Sequence, residues 1–138
     1  MNFPKKFHLA GFFLVLLLFF CALPLRASEE VLRITEMAVT TRIVRGNPID
    51  SVRRISSASV KVLYCFTRLS SETGGETVIK HLWYKDGEKV AEYELPVKGK
   101  KWRTYSKKAV ERGVTGEWRV DALDSEGKIL KSVKFTMN

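Results

Sequence analysis

Apolar and polar positions alternate with a period of two through much of the chain. In residues 31–44, Met37, Val39, Thr41 and Ile43 alternate with Glu36, Ala38, Thr40 and Arg42. That period puts one set of side chains on each face of a strand, and predicts a first strand here. Gly46-Asn47-Pro48 ends it. Residues 49–59 keep no period and read as a connecting loop. Residues 59–69 are apolar on both parities, Val60, Val62, Tyr64 and Phe66 against Leu63 and Cys65, as in a strand covered on both faces. Residues 70–76, with Gly74-Gly75, form a turn.

Residues 77–84 and 89–97 predict a hairpin around Lys85-Asp86-Gly87-Glu88. A two-residue Asp-Gly turn sets Trp83 opposite Val90 and His81 opposite Glu92. A three-residue loop with Gly87 left-handed sets Tyr84 opposite Glu88 and His81 opposite Ala91. A slip of one residue exchanges the faces. The three-residue loop is preferred, because it gathers Ile79, His81 and Trp83 with Ala91, Tyr93 and Leu95, and pairs Lys80 with Glu92 on the other face.

Lys98-Gly99 predicts a second tight hairpin, with Leu95 opposite Trp102 and Glu94 opposite Arg103. Residues 107–115 read as loop or a short helical turn. Residues 116–123 predict a strand with Trp118, Val120 and Ala122 inward. After the turn at Ser125-Glu126-Gly127, Ile129, Val133, Phe135 and Met137 form the inner face of the last strand. About seven short strands and no long helix make the expected class all-β, an antiparallel β-sandwich.

The N-terminus departs from this pattern. Lys5 and Lys6 precede an uncharged apolar run over residues 9–23, and Ala27 offers a small residue at a cleavage point. This is the layout of a signal peptide over residues 1–27. The competing reading is an uncleaved membrane anchor. The run is short of the ~20 apolar residues that span a bilayer comfortably, and Pro24 interrupts it. Residues 28–138 then form a single β-sandwich domain, and the expected location is outside the cytoplasm, in the periplasm or cell envelope. Lys5, Lys6 and Arg26 are the only charges of the leader, so +6 of the formal +9 stays with that domain. Its one cysteine, Cys65, excludes an intrachain disulfide and reads as a small buried hydrophobe.

Trp83-Tyr84-Lys85-Asp86-Gly87 resembles the central strand and following turn of immunoglobulin-like domains, where the tryptophan packs into the core. A longer set of positions is similar to the bacterial "domain of unknown function 2914" family. These are Tyr64-Cys65-Phe66-Thr67, His81-x-Trp83-Tyr84, Trp102-Arg103-x-x-Ser106, Gly116-x-Trp118-x-Val120 and Gly127-x-Ile129-Leu130, over residues 60–137. The resemblance implies a small β domain, often attached to a membrane segment, and brings no activity with it.

Residues 28–138 hold one histidine and one cysteine, too few for a metal site, so no metal or cofactor is expected. Cys65 with His81 has no acid or amide placed to orient the imidazole, and a buried neutral His81 is the better reading. Trp83, Trp102 and Trp118 fall on inward parities and read as core. Charge is the clearest functional signal. Lys98, Lys100, Lys101, Arg103, Lys107, Lys108 and Arg112 crowd a segment whose one acid is Glu111, with Tyr105 as a stacking platform. The expected function is a non-catalytic envelope binding module for an anionic glycan, a lipid head group or an acidic protein surface. Export argues against nucleic acid, and contact with a membrane is expected only through an uncleaved N-terminal segment. The alternative is a ligand-sensing or enzymatic domain with a pocket near His81, Arg103 and Ser106.

Overall fold

The computed structural model describes residues 31–59 and 61–138; the signal peptide or membrane anchor expected over residues 1–27 lies outside them. Seven long strands carry the fold: β1 (Leu32–Thr40), β5 (Lys61–Ser71), β6 (Thr77–Lys85), β7 (Glu88–Val97), β8 (Lys101–Val110), β9 (Gly116–Leu123) and β10 (Ile129–Met137). Three two-residue strands, β2 (Ile43–Val44), β3 (Asn47–Pro48) and β4 (Arg54–Ile55), complete it. One sheet has the order β1-β5-β8, the other β4-β10-β9-β6-β7, and β2-β3 is a separate hairpin. All pairings of the long strands are antiparallel.

The inner parities of the two sheets meet in one core. Trp83, Trp118 and Phe135 are its bulk, with the Trp118 ring stacked on Phe135 at 5.7 Å and Trp83 edge-on to Phe135 at 6.3 Å. Such aromatic burial contributes about 2–3 kcal/mol per side chain. Leu69, Ile79 and Val97 form a second cluster, against which Trp102 packs half-buried while its Nε1–H donates to the Pro96 carbonyl at 3.0 Å. The three tryptophans are therefore on the core side, as their parities require.

Three bulges shift the alternation. Thr35 is the extra residue between the pairs Ile34/Leu69 and Glu36/Arg68, so the inward set of β1 passes from Leu32 and Ile34 to Met37 and Val39. Val90 is the extra residue of β7. The β6–β7 turn is the two-residue one, with Asp86 and Gly87 both at positive φ, 49° and 82°. The bulge at Val90 then moves the register by one, setting Trp83 opposite Ala91 and His81 opposite Tyr93. The expected grouping of faces holds, but the three-residue loop does not occur. Lys80 lies opposite Glu94 and reaches Glu92 diagonally at 3.8 Å. In β10 the extra residue is Leu130, which turns toward the second cluster and leaves Ile129, expected inside, 56% exposed.

Two further expectations are corrected. Lys98-Gly99 makes no hairpin: β7 belongs to the five-stranded sheet and β8 to the three-stranded one, so residues 98–100 carry the chain between layers. Arg103 consequently does not pair with Glu94. Residues 107–110 continue β8 rather than forming loop or helix, because Tyr64, Leu63, Val62 and Lys61 of β5 pair with them.

Candidate functional site

The strand alternation of β8 divides the basic segment. Trp102, Thr104, Ser106, Lys108 and Val110 share the inward parity, and Lys101, Arg103, Tyr105 and Lys107 the outward one. Register with β5 and β1 extends the outward set into cross-strand rows. Arg33, Ser70 and Lys101 form one row; Glu36, Arg68 and Arg103 the next; then Ala38, Phe66 and Tyr105; then Thr40, Tyr64 and Lys107. The strands of this outer face carry Arg33, Arg68, Lys101, Arg103 and Lys107 against one carboxylate of their own, Glu36, and the hairpin that covers one end adds a second, Asp50, so the field stays positive.

Its middle is aromatic. Tyr64 and Tyr105 meet edge-to-face at 5.7 Å, and the Arg68 guanidinium stands 5.7 Å from the centre of the Phe66 ring. Phe66 is 1% exposed although it points away from the core, whereas Tyr105 is 46% exposed. The face thus presents a stacking surface beside cations.

The β2–β3 hairpin folds onto this face. Arg45 and Gly46 both take positive φ, 52° and 74°, and a side chain on Gly46 would lie 3.6 Å from the Arg103 guanidinium carbon. The tip residue Asn47 offers its Oδ1 to Arg68 Nη2 at 3.1 Å and to Arg103 Nη1 at 3.0 Å. Arg68 Nε also donates to Glu36 at 3.2 Å. Asp50 holds the base of the hairpin, accepting from Thr40 Oγ1 at 2.6 Å, Thr41 N at 2.9 Å and Thr41 Oγ1 at 2.6 Å. Desolvation pushes the Asp50 carboxyl up, but the bonds from Thr40 and Thr41 outweigh it and hold the group below the usual carboxylate range. Beside the arginines opens a cleft of about 520 Å³ lined by Thr35, Arg68, Ser70, Lys101 and Arg103, together with the apolar Leu69 and Trp102.

The other basic residues scatter. Lys98 and Lys100 are exposed in the crossing segment, at the start of β8, and Arg112 is exposed in the turn after it. A strand of that length separates them by about 30 Å. Lys108 lies on the inward parity, half-buried, with Nζ on the Ala109 carbonyl. Sequence reasoning missed Arg33, Glu36, Asn47 and Arg68, which come from other strands. The one local signal was the parity Tyr64, Phe66, Arg68, which places Arg68 beside the aromatic residues.

His81, Arg103 and Ser106 do not line a common pocket. His81 and Ser106 are buried between the sheets, and the alternation of β8 sends Arg103 to the opposite side. His81 Nε2 meets Thr67 Oγ1 at 2.8 Å, His81 Nδ1 meets Ser106 Oγ at 2.7 Å, and Trp83 Nε1 donates to the same Ser106 oxygen at 3.0 Å. A neutral imidazole satisfies this network with one donor and one acceptor nitrogen. Desolvation lowers the His81 pKa to about 4. Both ring nitrogens are therefore occupied, and burial pushes the Cys65 thiol far up, away from the nucleophilic thiolate.

Comparison with known proteins places this fold among others. Residues 76–137 match the family "Protein of unknown function (DUF2914)". The DUF2914 segment takes in β6 to β10, and with them all three tryptophans, His81, Arg103 and Ser106. The similarity read from Tyr64-Cys65-Phe66-Thr67 lies ahead of it. No curated protein matches the chain. Among solved structures, an immunoglobulin-like protein from Pseudomonas aeruginosa matches with a TM-score of 0.50 and 19% identity, covering 78% of this chain and 97% of that one. The alkylpurine DNA glycosylase AlkC of Pseudomonas fluorescens, bound to DNA containing an abasic site analog, matches with a TM-score of 0.51 and 15% identity, over 78% of this chain but only 30% of that one. At these identities the likeness is one of fold: the matched segment is part of an immunoglobulin-like β-sandwich.

Proposed function

We propose that this chain is a non-catalytic binding module of the bacterial cell envelope, exported through its N-terminal segment, that docks an anionic glycan on the outer face of its three-stranded sheet. One observation carries the reading: five cationic side chains lie around an exposed tyrosine on one sheet face, against two carboxylates, Glu36 in the sheet and Asp50 at the base of the overlying hairpin. Cations attract the polymer over a distance that salt limits to about 8–10 Å. The Tyr105 ring supplies an apolar plane on which a sugar face stacks, which an acidic protein surface or a lipid head group does not need.

Retention of the full-length chain on immobilised polygalacturonate, at low and high salt, tests this. Retention is expected to fall steeply with salt and to vanish when Lys101 and Lys107 are both changed to Glu. Retention unmoved by salt and by these reversals would overturn the reading. Reversal-sensitive capture by anionic lipid vesicles, with none by the polysaccharide, would replace the glycan by a lipid head group.

A further inference from the structure

Arg68 and Arg103 are directly opposed on adjacent strands. Like charges in that position repel and are destabilising unless something between them compensates. Here the compensation is one neutral oxygen, Asn47 Oδ1, shared at 3.1 and 3.0 Å, and the single carboxylate Glu36 on Arg68 alone. Arg103 has no carboxylate partner among the described residues. The pair therefore retains a positive charge, aimed at a planar carboxamide that has the shape of a carboxylate without its charge. Guanidinium groups bond carboxylates more strongly than neutral amides, because each contact becomes charge-assisted.

We propose that the Arg68–Arg103 pair is a discrete carboxylate-binding subsite, which takes the carboxylate of an acidic sugar in place of the Asn47 side-chain oxygen. Asn47 is its internal occupant in the free protein, held there by the Arg45–Gly46 turn and by Asp50 at the hairpin base. The cleft on the Lys101 side gives the ligand access. Tyr105, two residues along the same face and about 7 Å from Arg103 by strand rise, stacks the sugar ring. This assignment rests on the docking reading above and narrows it to uronate-bearing glycans.

The test is calorimetric titration of the full-length chain with tetragalacturonate at fixed ionic strength, alongside a neutral tetrasaccharide and a sulfated one. Saturable binding of the uronate in preference to both others is expected. Arg68→Lys and Arg103→Lys keep the charge but lose the planar fork, and each is expected to weaken uronate binding roughly tenfold or more, the scale of one charge-assisted hydrogen bond. Asn47→Asp builds the carboxylate in, and is expected to abolish uronate binding while raising the unfolding midpoint. Asn47→Ala empties the place and is expected to tighten binding. Uronate binding equal to that of the sulfated analogue, or unchanged in both lysine variants and in Asn47→Asp, would overturn the subsite. Polymer retention could then still depend on salt and on Lys101 and Lys107, in which case the face binds by diffuse charge and the docking reading survives. Loss of that dependence as well would remove both.

Discussion

Arg68 and Arg103 face one another on adjacent strands of the three-stranded sheet and donate to the same oxygen, Oδ1 of Asn47, at 3.1 and 3.0 Å. Three distant stretches of chain, residues 47, 68 and 103, build this centre. Outward positions on β8 recur at every second residue, with Lys101 and Lys107 on the same face as Arg103, and that spacing yields the first prediction.

Outward and inward lysines of β8 are expected to differ. Lys107→Glu should weaken retention on polygalacturonate several-fold at low salt, whereas Lys108→Glu, one residue on and half-buried on the other parity, should leave it nearly unchanged. The Lys107 reversal should move stability by no more than about ±0.5 kcal/mol. Equal effects of the two substitutions on binding would show that the face is not the determinant.

His81 is expected to make stability depend on pH. Its folded pKa, about 4, lies below the ordinary 6.5, so the unfolded chain binds the proton first. Stability from keeping His81 neutral is full above pH 6.5 and declines as pH falls toward 4. Over that window the loss is about 3 kcal/mol. Denaturant midpoints of the wild type should therefore drop between pH 7 and pH 5, and those of His81→Gln should not. Parallel pH profiles of the two proteins would contradict the buried neutral imidazole.

Trp83 is fully buried and joins the polar network to the aromatic core through Ser106 and Phe135. Trp83→Ala is expected to cost about 3–5 kcal/mol, as large-to-small changes of buried aromatics do. Ser106→Ala leaves His81 Nδ1 and Trp83 Nε1 without their partner, at about 1–3 kcal/mol. Urea unfolding measures both, and an unchanged midpoint in Trp83→Ala would contradict its place in the core.

Gly116 takes φ +142°, and a side chain there would lie 2.7 and 2.8 Å from the Asp86 carboxylate oxygens. That carboxylate accepts from Glu117 N at 3.0 Å and fastens the β6–β7 turn to β9. Gly116→Ala is expected to destabilise by about 1–3 kcal/mol through backbone strain and the loss of this contact. Gly87 also has positive φ but open space around it, so Gly87→Asn should cost far less. Thermal melts of the two variants provide the comparison.

Export is expected to yield a product beginning near Ser28. Intact-mass measurement of the chain from cell fractions checks this. A full-length product confined to the cytoplasm would remove the envelope from the proposed function.

The all-β class and the inward parity of Trp83 and Trp118 were legible in the sequence alone, as was the basic character of residues 98–112. Each is a property of neighbouring residues: a period of two is written locally, and so is a run of charge. Tertiary structure decided the rest. The expectation that Trp102 faces inward rests on a hairpin that does not form, and it is β5 that sets its side. Whether Lys98-Gly99 closes a hairpin or crosses between sheets depends on which strand lies beside β8, and β5 takes that place through ten residues of register. The bulges at Thr35, Val90 and Leu130 exist only relative to a partner strand, so alternation in one strand cannot reveal them. Arg68 meets Arg103 through the pairing of β5 with β8, and Asn47 reaches Arg103, 56 residues away in the chain, because the β2–β3 hairpin folds back over the sheet. Local pattern sets which way a side chain faces; long-range pairing decides what it faces.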